Sequence, residues 1–389
     1  MTAYLDHAAT TPMAPAAIDA MVRELSRVGN ASSLHAAGRQ ARKVVEDGRE
    51  AIALATSARP NDVIFTSGGT EADNLAIKGL YWSRRQADPR RTRILATSIE
   101  HHAVLDPVQW LADSEGAEVF WIPVDSIARI DIEALRQEVQ RDPESIALIT
   151  AMSANNEVGT LQPIAEVVAI AAEYGIPVHS DCVQLFGKMP FDFEASGLSC
   201  VTLSGHKIGG PVGVGALLVK RGIDLVPVLH GGGQERDLRS GTLDHAAIAS
   251  FAAAATSAVA HMEEEGVRLR ALRDDLVSQV VGLIPDARVN GDADSAGRLP
   301  GVAHITFPGA EGNVLLLLLD AQGVQCSTGS ACSAGVPRPS HVLIAMGMSE
   351  SQARSSLRFS LGRTSSQADV DAVARVIAPV VERARLAAR

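Results

Sequence analysis

"IALITAMSANNEVGTLQPIAEVVAIAAEYGIPVHSD", Ile146 to Asp181, is the stretch that decides the fold. It opens with a β-branched apolar run, passes through polar and turn-forming residues, and continues with apolar residues at helical spacing. Gly175 supplies the helix C-cap, and "IPVHSD" follows as a second apolar run. Strand, helix, strand in about 35 residues is one crossover unit of a parallel sheet. Other short runs repeat the theme outward: "VIFTSG" (63–68), "RILATSI" (93–99) and "EVFWIPV" (118–124). The pattern predicts an α/β protein with a mainly parallel sheet covered by helices on both faces. Such sheets bind ligands beyond the carboxyl ends of their strands, so chemistry is sought just after each run.

Beyond about Lys220 the pattern changes. One long helix is expected from about His245 to Val281, then a smaller α+β part with strands near "AHITFP" and "SSLRFSLG" and a closing helix from about Ala368. The expected division is a large domain over 14–262 and a small domain formed by 1–13 with 263–389. The chain of 389 residues is long enough for both. Its net charge of −10 argues against a nucleic-acid binder or a partner of anionic membranes, which need a basic face. The most apolar segment, 246–262, is alanine-rich and broken by Ser and Thr, so it reads as a packed helix rather than a membrane span. No basic start followed by an apolar run marks a secretion signal, and four cysteines in this length make no disulfide framework. Both point to the cytoplasm.

The strand ends carry the polar residues. "SGGTEADN" (67–74) follows a strand and opens a helix; Thr70 is placed to cap it, with backbone N–H groups free for an anion, although on the glycines alone a plain strand–helix turn is the simpler reading. "LSGHKIGGPVGVGALLV" (203–219) delivers Ser204, His206 and Lys207 into a glycine-rich turn. A lysine there calls for a partner or a covalent role, such as a bond to an aldehyde cofactor, with Ser and His holding a phosphate. Asp181 ends a buried strand and needs a cation, which the protonated ring nitrogen of pyridoxal phosphate would supply. Gln184 lies three residues on, within reach of the ring hydroxyl. His101 in "IEHHAVLD" and Asn155 and Asn156 in "SANNEVGT" sit at two further strand ends. Arg358 in "SSLRFSLGR" is either a surface residue or a bidentate partner for an amino-acid carboxylate. Two of the four cysteines, Cys326 and Cys332, fall in "QCSTGSACSAG" (325–335), whose small polar residues read as an exposed, flexible loop over about 325–340.

Taken together these motifs resemble the cysteine desulfurases, pyridoxal phosphate enzymes of fold type I in the class V aminotransferase group. The likeness runs through "YLDHAATTP", "GNASSLHAAGRQAR", "FTSGGTEADNLAIKG", "EHHAVLD", "NNEVG", "SGHKIGGP", "HGGGQERDLRSGT", "GSACSAG" and "SSLRFSLGR", in order and over essentially the whole chain. The resemblance implies that Lys207 carries the cofactor covalently, that Asp181 pairs with the pyridine nitrogen, and that His101 lies over the ring. Gln184 and Asn156 would contact the cofactor, and Gly69, Thr70, Ser204 and His206 would hold its phosphate. Thr242 would be supplied by the other subunit of a homodimer. Arg358, with Asn156, would take the carboxylate of L-cysteine. Cys332 would be the nucleophile that receives sulfur as a persulfide, and the one residue able to act as a transient iron–sulfur ligand; no resident metal site is expected. The sulfur would pass to an acceptor such as an iron–sulfur scaffold or a tRNA-thiolation enzyme.

Some positions depart from the family. Ala31 stands where many relatives have Pro, Gly209 where they have an aromatic, and Ser153 where several have His. The chain stops at Arg389, without the longer tail that housekeeping members use to dock a scaffold, which leaves the acceptor open. A selenocysteine lyase or a cysteine sulfinate desulfinase would share the whole site. An aminotransferase would not need Cys332, and an iron–sulfur scaffold is disfavoured by the absence of CxxC spacing.

Overall fold

The structure is a computed structural model and describes residues 2–329 and 339–387. Cys332 and most of the expected cysteine loop therefore lie outside the described residues. Among the described residues there are twelve strands in chain order: β1 (Ala3–Tyr4), β2 (Val63–Thr66), β3 (Arg93–Thr97), β4 (Glu118–Ile122), β5 (Ile146–Thr150), β6 (Val178–Asp181), β7 (Cys200–Ser204), β8 (Gly215–Val219), β9 (Arg288–Asn290), β10 (Val302–Thr306), β11 (Val324–Gln325) and β12 (Ser356–Ser360).

Seven strands form the central sheet in the order β2-β8-β7-β6-β5-β3-β4. β3 to β7 pair parallel to one another, and β8 runs antiparallel to both of its neighbours. Consecutive residues point to opposite faces, and both faces are dry. Phe65, Leu95, Ile149 and Leu218 belong to one core with Ile52 and Phe251; Ile64, Ile94, Leu148 and Leu217 belong to another with Leu75 and Val108. The mainly parallel sheet agrees with the strand–helix alternation read from the sequence. Because the parallel strands all end on one edge, the segments that follow them share that edge.

A second sheet, β12-β10-β9, is antiparallel, and the short pair β1-β11 is parallel. Leu5, Leu276, Ile305, Leu357, Phe359 and Ile377 form their shared core, under the helices Met262–Leu283 and Gln367–Ala387. The expected single helix from His245 to Val281 is two, His245–Ala260 and Met262–Leu283. They part at His261, whose backbone (φ −108°, ψ 5°) leaves the helical region. No Gly or Pro marks the break, so local sequence could not reveal it. Among the described residues no helix is long and apolar enough to cross a membrane.

One buried ion pair ties the segment after β8 to the large sheet. Arg49 meets Glu235 twice, at 2.6 and 2.9 Å, and the N–H of Phe65 donates to the same carboxylate at 2.7 Å. Glu235, Arg236 and Asp237 all have positive φ (46°, 58°, 62°), a conformation that only strong tethers hold for non-glycine residues. With Arg49 10% and Glu235 1% exposed, removing Glu235 leaves the Arg49 guanidinium only the half-exposed Glu46 as counter-charge and the Phe65 N–H without its acceptor. Glu235→Ala should therefore lower stability by about 3–5 kcal/mol in guanidinium unfolding. A loss under about 1 kcal/mol would show that the segment, not the pair, carries the tether.

Candidate active site

The carboxyl edge of the sheet gathers the residues named from the sequence. β7 ends at Ser204 and turns through Gly205–Lys207, a turn pinned because β7 and β8 pair as far as Ser204 and Gly215. Gly215 has no room for a side chain: a Cβ would lie 2.8 Å from the backbone of Gly68. That close approach brings the start of the helix Gly69–Ala87 beside β7. A Cβ on Gly69 would lie 3.7 Å from the Cβ of Ser204 and 3.1 Å from Val183.

Lys207 donates to the carbonyls of Ala8 and Ala9, both at 2.7 Å. Asp181 ends β6, His206 shares the turn with Lys207, and His101 follows β3, so all three lie with Lys207 at the carboxyl edge, where its charge bears on each. Asp181 is 6% exposed and accepts from the N–H of Val183 at 2.8 Å. Burial, and then the carboxyl of Asp73, push its pKa up to about 7. His179, fully buried two residues earlier, is held by Thr150 (2.9 Å) and Thr202 (3.0 Å) and lies 3.4 Å from Asp73. Burial raises Asp73 itself to about 8. An acid this hard to ionise is one that a nearby cation would strongly favour.

His101 caps the helix His102–Glu115: its Nδ1 accepts the N–H of Ala103 at 3.1 Å. Nδ1 is thereby an acceptor and Nε2 carries the proton in the neutral ring. Desolvation, then the Lys207 ammonium, hold its pKa well below the usual range. His206 is held down in the same way, and its Nδ1 lies 3.2 Å from the Thr10 hydroxyl.

Several expectations need correction. Thr70 does not cap its helix: Gly68 is the cap residue, at φ 151°, and no side chain closes this end. The position suits glycine, and it leaves the first N–H groups open. Gln184, whose expected cofactor contact stays open, is held at both ends of its amide. Its Nε2 donates to the Ala8 carbonyl at 2.9 Å, and its Oε1 accepts from Lys188 at 2.8 Å. Arg358 is no surface residue; it is 3% exposed, donates to the Asn156 carbonyl and meets Asp6, each at 2.8 Å. Its Nε has no partner among the described residues. Asn155 is structural, its amide donating to the Ile99 carbonyl and its oxygen accepting from two backbone N–H groups. Asn156 is half-buried beside Arg358. Thr242 is exposed, and among the described residues no hydrogen bond ties it to the others.

Cys326 overturns the reading of its stretch as exposed. It is 8% exposed, and burial pushes its thiol up to about 12. The cause is long-range pairing: β11 just before it joins β1, and Ser327 just after it exchanges backbone bonds with Arg358.

Sequence reasoning assigned no role to 6–11, yet that segment supplies partners for Lys207, Gln184, Arg358 and His206. The signal was an aspartate and polar residues in "DHAATTP", clustered beside small residues that let backbone carbonyls approach. Nor was Lys188 foreseen, whose amine burial and the charges of Lys207 and Arg358 lower to about 7.

The donor set fits pyridoxal phosphate. An uncapped helix start beside Ser204 and His206 suits a phosphate, a buried acid with a raised pKa suits a ring cation, and a lysine anchored between them suits the aldehyde.

The class V aminotransferase family profile matches residues 3–373. An IscS-like cysteine desulfurase of Mycobacterium tuberculosis is 57% identical over 386 residues, 99% of this chain and 98% of its own. The cysteine desulfurase NifS of Azotobacter vinelandii is 39% identical over 98% of this chain and 93% of its own. A solved NifS-like protein superposes with a TM-score of 0.90 at 33% identity, covering 98% of this chain and all of that one. The chain belongs to the class V aminotransferase family and, within it, to the cysteine desulfurases.

Proposed function

We propose that the protein is a pyridoxal phosphate-dependent cysteine desulfurase that converts L-cysteine to L-alanine and holds the sulfur as a persulfide on Cys332. The observation that carries this reading is Asp181, a buried acid that needs a cation, gathered with Lys207, His101 and His206 at one sheet edge. When bound, the cofactor supplies an electron sink for the bonds at the substrate Cα and Cβ.

The chain's own residues do the rest. Lys207 anchors the cofactor and, once released, takes a proton at Nζ. Asp181 would keep a proton on the ring nitrogen, and the neutral His101 would lend its Nε2–H as a hydrogen-bond donor at the cofactor face. Arg358 grips the substrate carboxylate with Asn156 beside it, and Lys188 fixes the Gln184 amide. Gly69, Thr70, Ser204 and His206 surround the phosphate. The Cys332 thiolate attacks the substrate sulfur; an S–S bond forms as the C–S bond breaks, and the carbon skeleton leaves as alanine after protonation.

The proposal extends to the assembly. The protein acts as a homodimer, Thr242 reaching the second subunit's site from its exposed segment. Its division is 14–262 and 1–13 with 263–389, consistent with separate cores on either side. The described cysteines are all unpaired, as in the cytoplasm. The acceptor is an iron–sulfur scaffold or a tRNA-thiolation enzyme. Alanine and sulfide measured with cysteine, against alanine with selenocysteine and cysteine sulfinate, test the activity. Preference for either alternative substrate would make it the corresponding lyase.

The carboxylate contact has its own test. Arg358→Lys cannot keep both the Asp6 contact and a two-point grip on substrate. It should cost about 2–5 kcal/mol in kcat/KM for cysteine. An unchanged value would leave Arg358 as a tether for Asp6 alone.

A further inference from the structure

Glu157 is a buried carboxyl group that the chemistry above does not use. It is 2% exposed, and the turn beneath it is rigid: Asn155 Oδ1 accepts the N–H groups of Glu157 and Val158 at 2.9 and 3.0 Å. Burying a carboxyl costs stability unless its oxygens find partners. The neighbours it finds come from two positions that bracket one short segment. Ser340 donates its hydroxyl to Oε2 at 2.5 Å, and the same hydroxyl accepts the N–H of Leu343 at 3.2 Å. Gly329 packs on the same oxygen: a Cβ there would lie 3.2 Å from Oε2, and its φ of 86° already demands glycine.

Between these two residues lies the segment 330–339, which contains Cys332. Both ends of a ten-residue stretch thus meet at one carboxylate oxygen. The same framework holds the candidate substrate arginine. Gly329 donates to Ser327 Oγ at 3.0 Å, Ser327 exchanges backbone bonds with Arg358 at 3.1 and 2.7 Å, and Arg358 donates to the carbonyl of Asn156, next to Glu157.

We propose that Glu157 is a positioning residue that staples the two ends of the segment carrying Cys332 and so sets how that thiol meets the substrate held by Arg358. The inference rests on Cys332 being the sulfur acceptor. Its physics is loop closure: joining the ends in advance removes entropy that would otherwise be lost when the thiol is brought to the sulfur. Burial pushes the Glu157 carboxyl pKa up, while the Ser340 bond and the charges of His341 and Arg358 pull it back. Glutamine keeps the size and an acceptor oxygen, and should therefore replace it.

The test compares wild-type, Glu157→Gln, Glu157→Ala, Ser340→Ala and Gly329→Ala holoenzymes. Cysteine binding is read from the cofactor absorption, and persulfide formation on Cys332 is followed in a single turnover by alkylation and mass spectrometry. Glu157→Ala, Ser340→Ala and Gly329→Ala should bind cysteine as the wild type does yet form persulfide about tenfold more slowly, with Glu157→Gln close to wild type. Persulfide formation at the wild-type rate in the loop-end variants, or a loss of cysteine binding equal to the loss of rate, overturns the staple. If Glu157→Ala does not load cofactor, Ser340→Ala and Gly329→Ala decide on the same criteria. A wild type that places no persulfide on Cys332 sinks the functional reading itself; a wild type that does, with unaffected variants, sinks only the staple.

Discussion

The Lys207→Ala protein should fold, purify without covalently held pyridoxal phosphate, and lose at least about 10⁴-fold in cysteine turnover, since one residue supplies both the anchor and a proton carrier. Folding should survive because the turn is fixed by its neighbours: β7 and β8 pair on either side of it, and Gly205 bonds to Val214 at 3.0 Å. The deletion leaves the carbonyls of Ala8 and Ala9 without the amine, which costs about 1–3 kcal/mol at most. Lys188 is the sharp control. Its amine is held down to about 7, first by burial and then by the charges of Lys207 and Arg358, so it is neutral enough to react with an aldehyde near neutral pH. It is committed elsewhere, to Gln184 at 2.8 Å. Borohydride reduction followed by peptide mapping decides between them. Cofactor fixed on Lys188 in the wild type would reverse the assignment, and cofactor fixed there only in Lys207→Ala would show how close the second amine lies.

What could be read ahead of the structure was whatever depends on local order. Asp181 and Lys207 were visible because each follows a short apolar run, and the carboxyl edge of a parallel sheet is where such runs end. The partners of those residues were not visible, because they come from far along the chain. Asp6 meets Arg358 across 352 positions, and Ala8 meets Lys207 across 199. Residue type alone makes Thr70 the cap, but the close approach of Gly68 to Gly215 fixes where the helix begins. Composition places both cysteines of 325–335 in one exposed loop, because it describes the stretch as a whole. Only the pairing of β11 with β1, some 320 positions apart in register, buries one of them.

That difference sets the second large effect. Cys332→Ala should keep its cofactor and bind cysteine, yet form no enzyme persulfide and retain under about 1% of wild-type alanine production, because the attacking thiolate is gone. Cys326→Ala should stay largely active with cysteine and a small thiol reductant. A thiol pushed up to about 12 is almost wholly protonated at neutral pH, and it is the thiolate that attacks sulfur. Geometry gives the same answer. The N–H of Leu5 donates to the Gln325 carbonyl at 2.8 Å, and Ser327 is paired with Arg358, so Cys326 is clamped on both sides. It cannot travel between a substrate and an acceptor protein. Its place is in the core with Leu5 and Phe359, where loss of a sulfur atom costs about 1 kcal/mol of stability rather than activity. Alkylation mapping after one turnover reads both residues at once. A persulfide on Cys326 in the wild type, with Cys332→Ala still producing alanine, would mean that the clamped residue reaches the substrate and that the buried thiol is activated by a group yet to be identified.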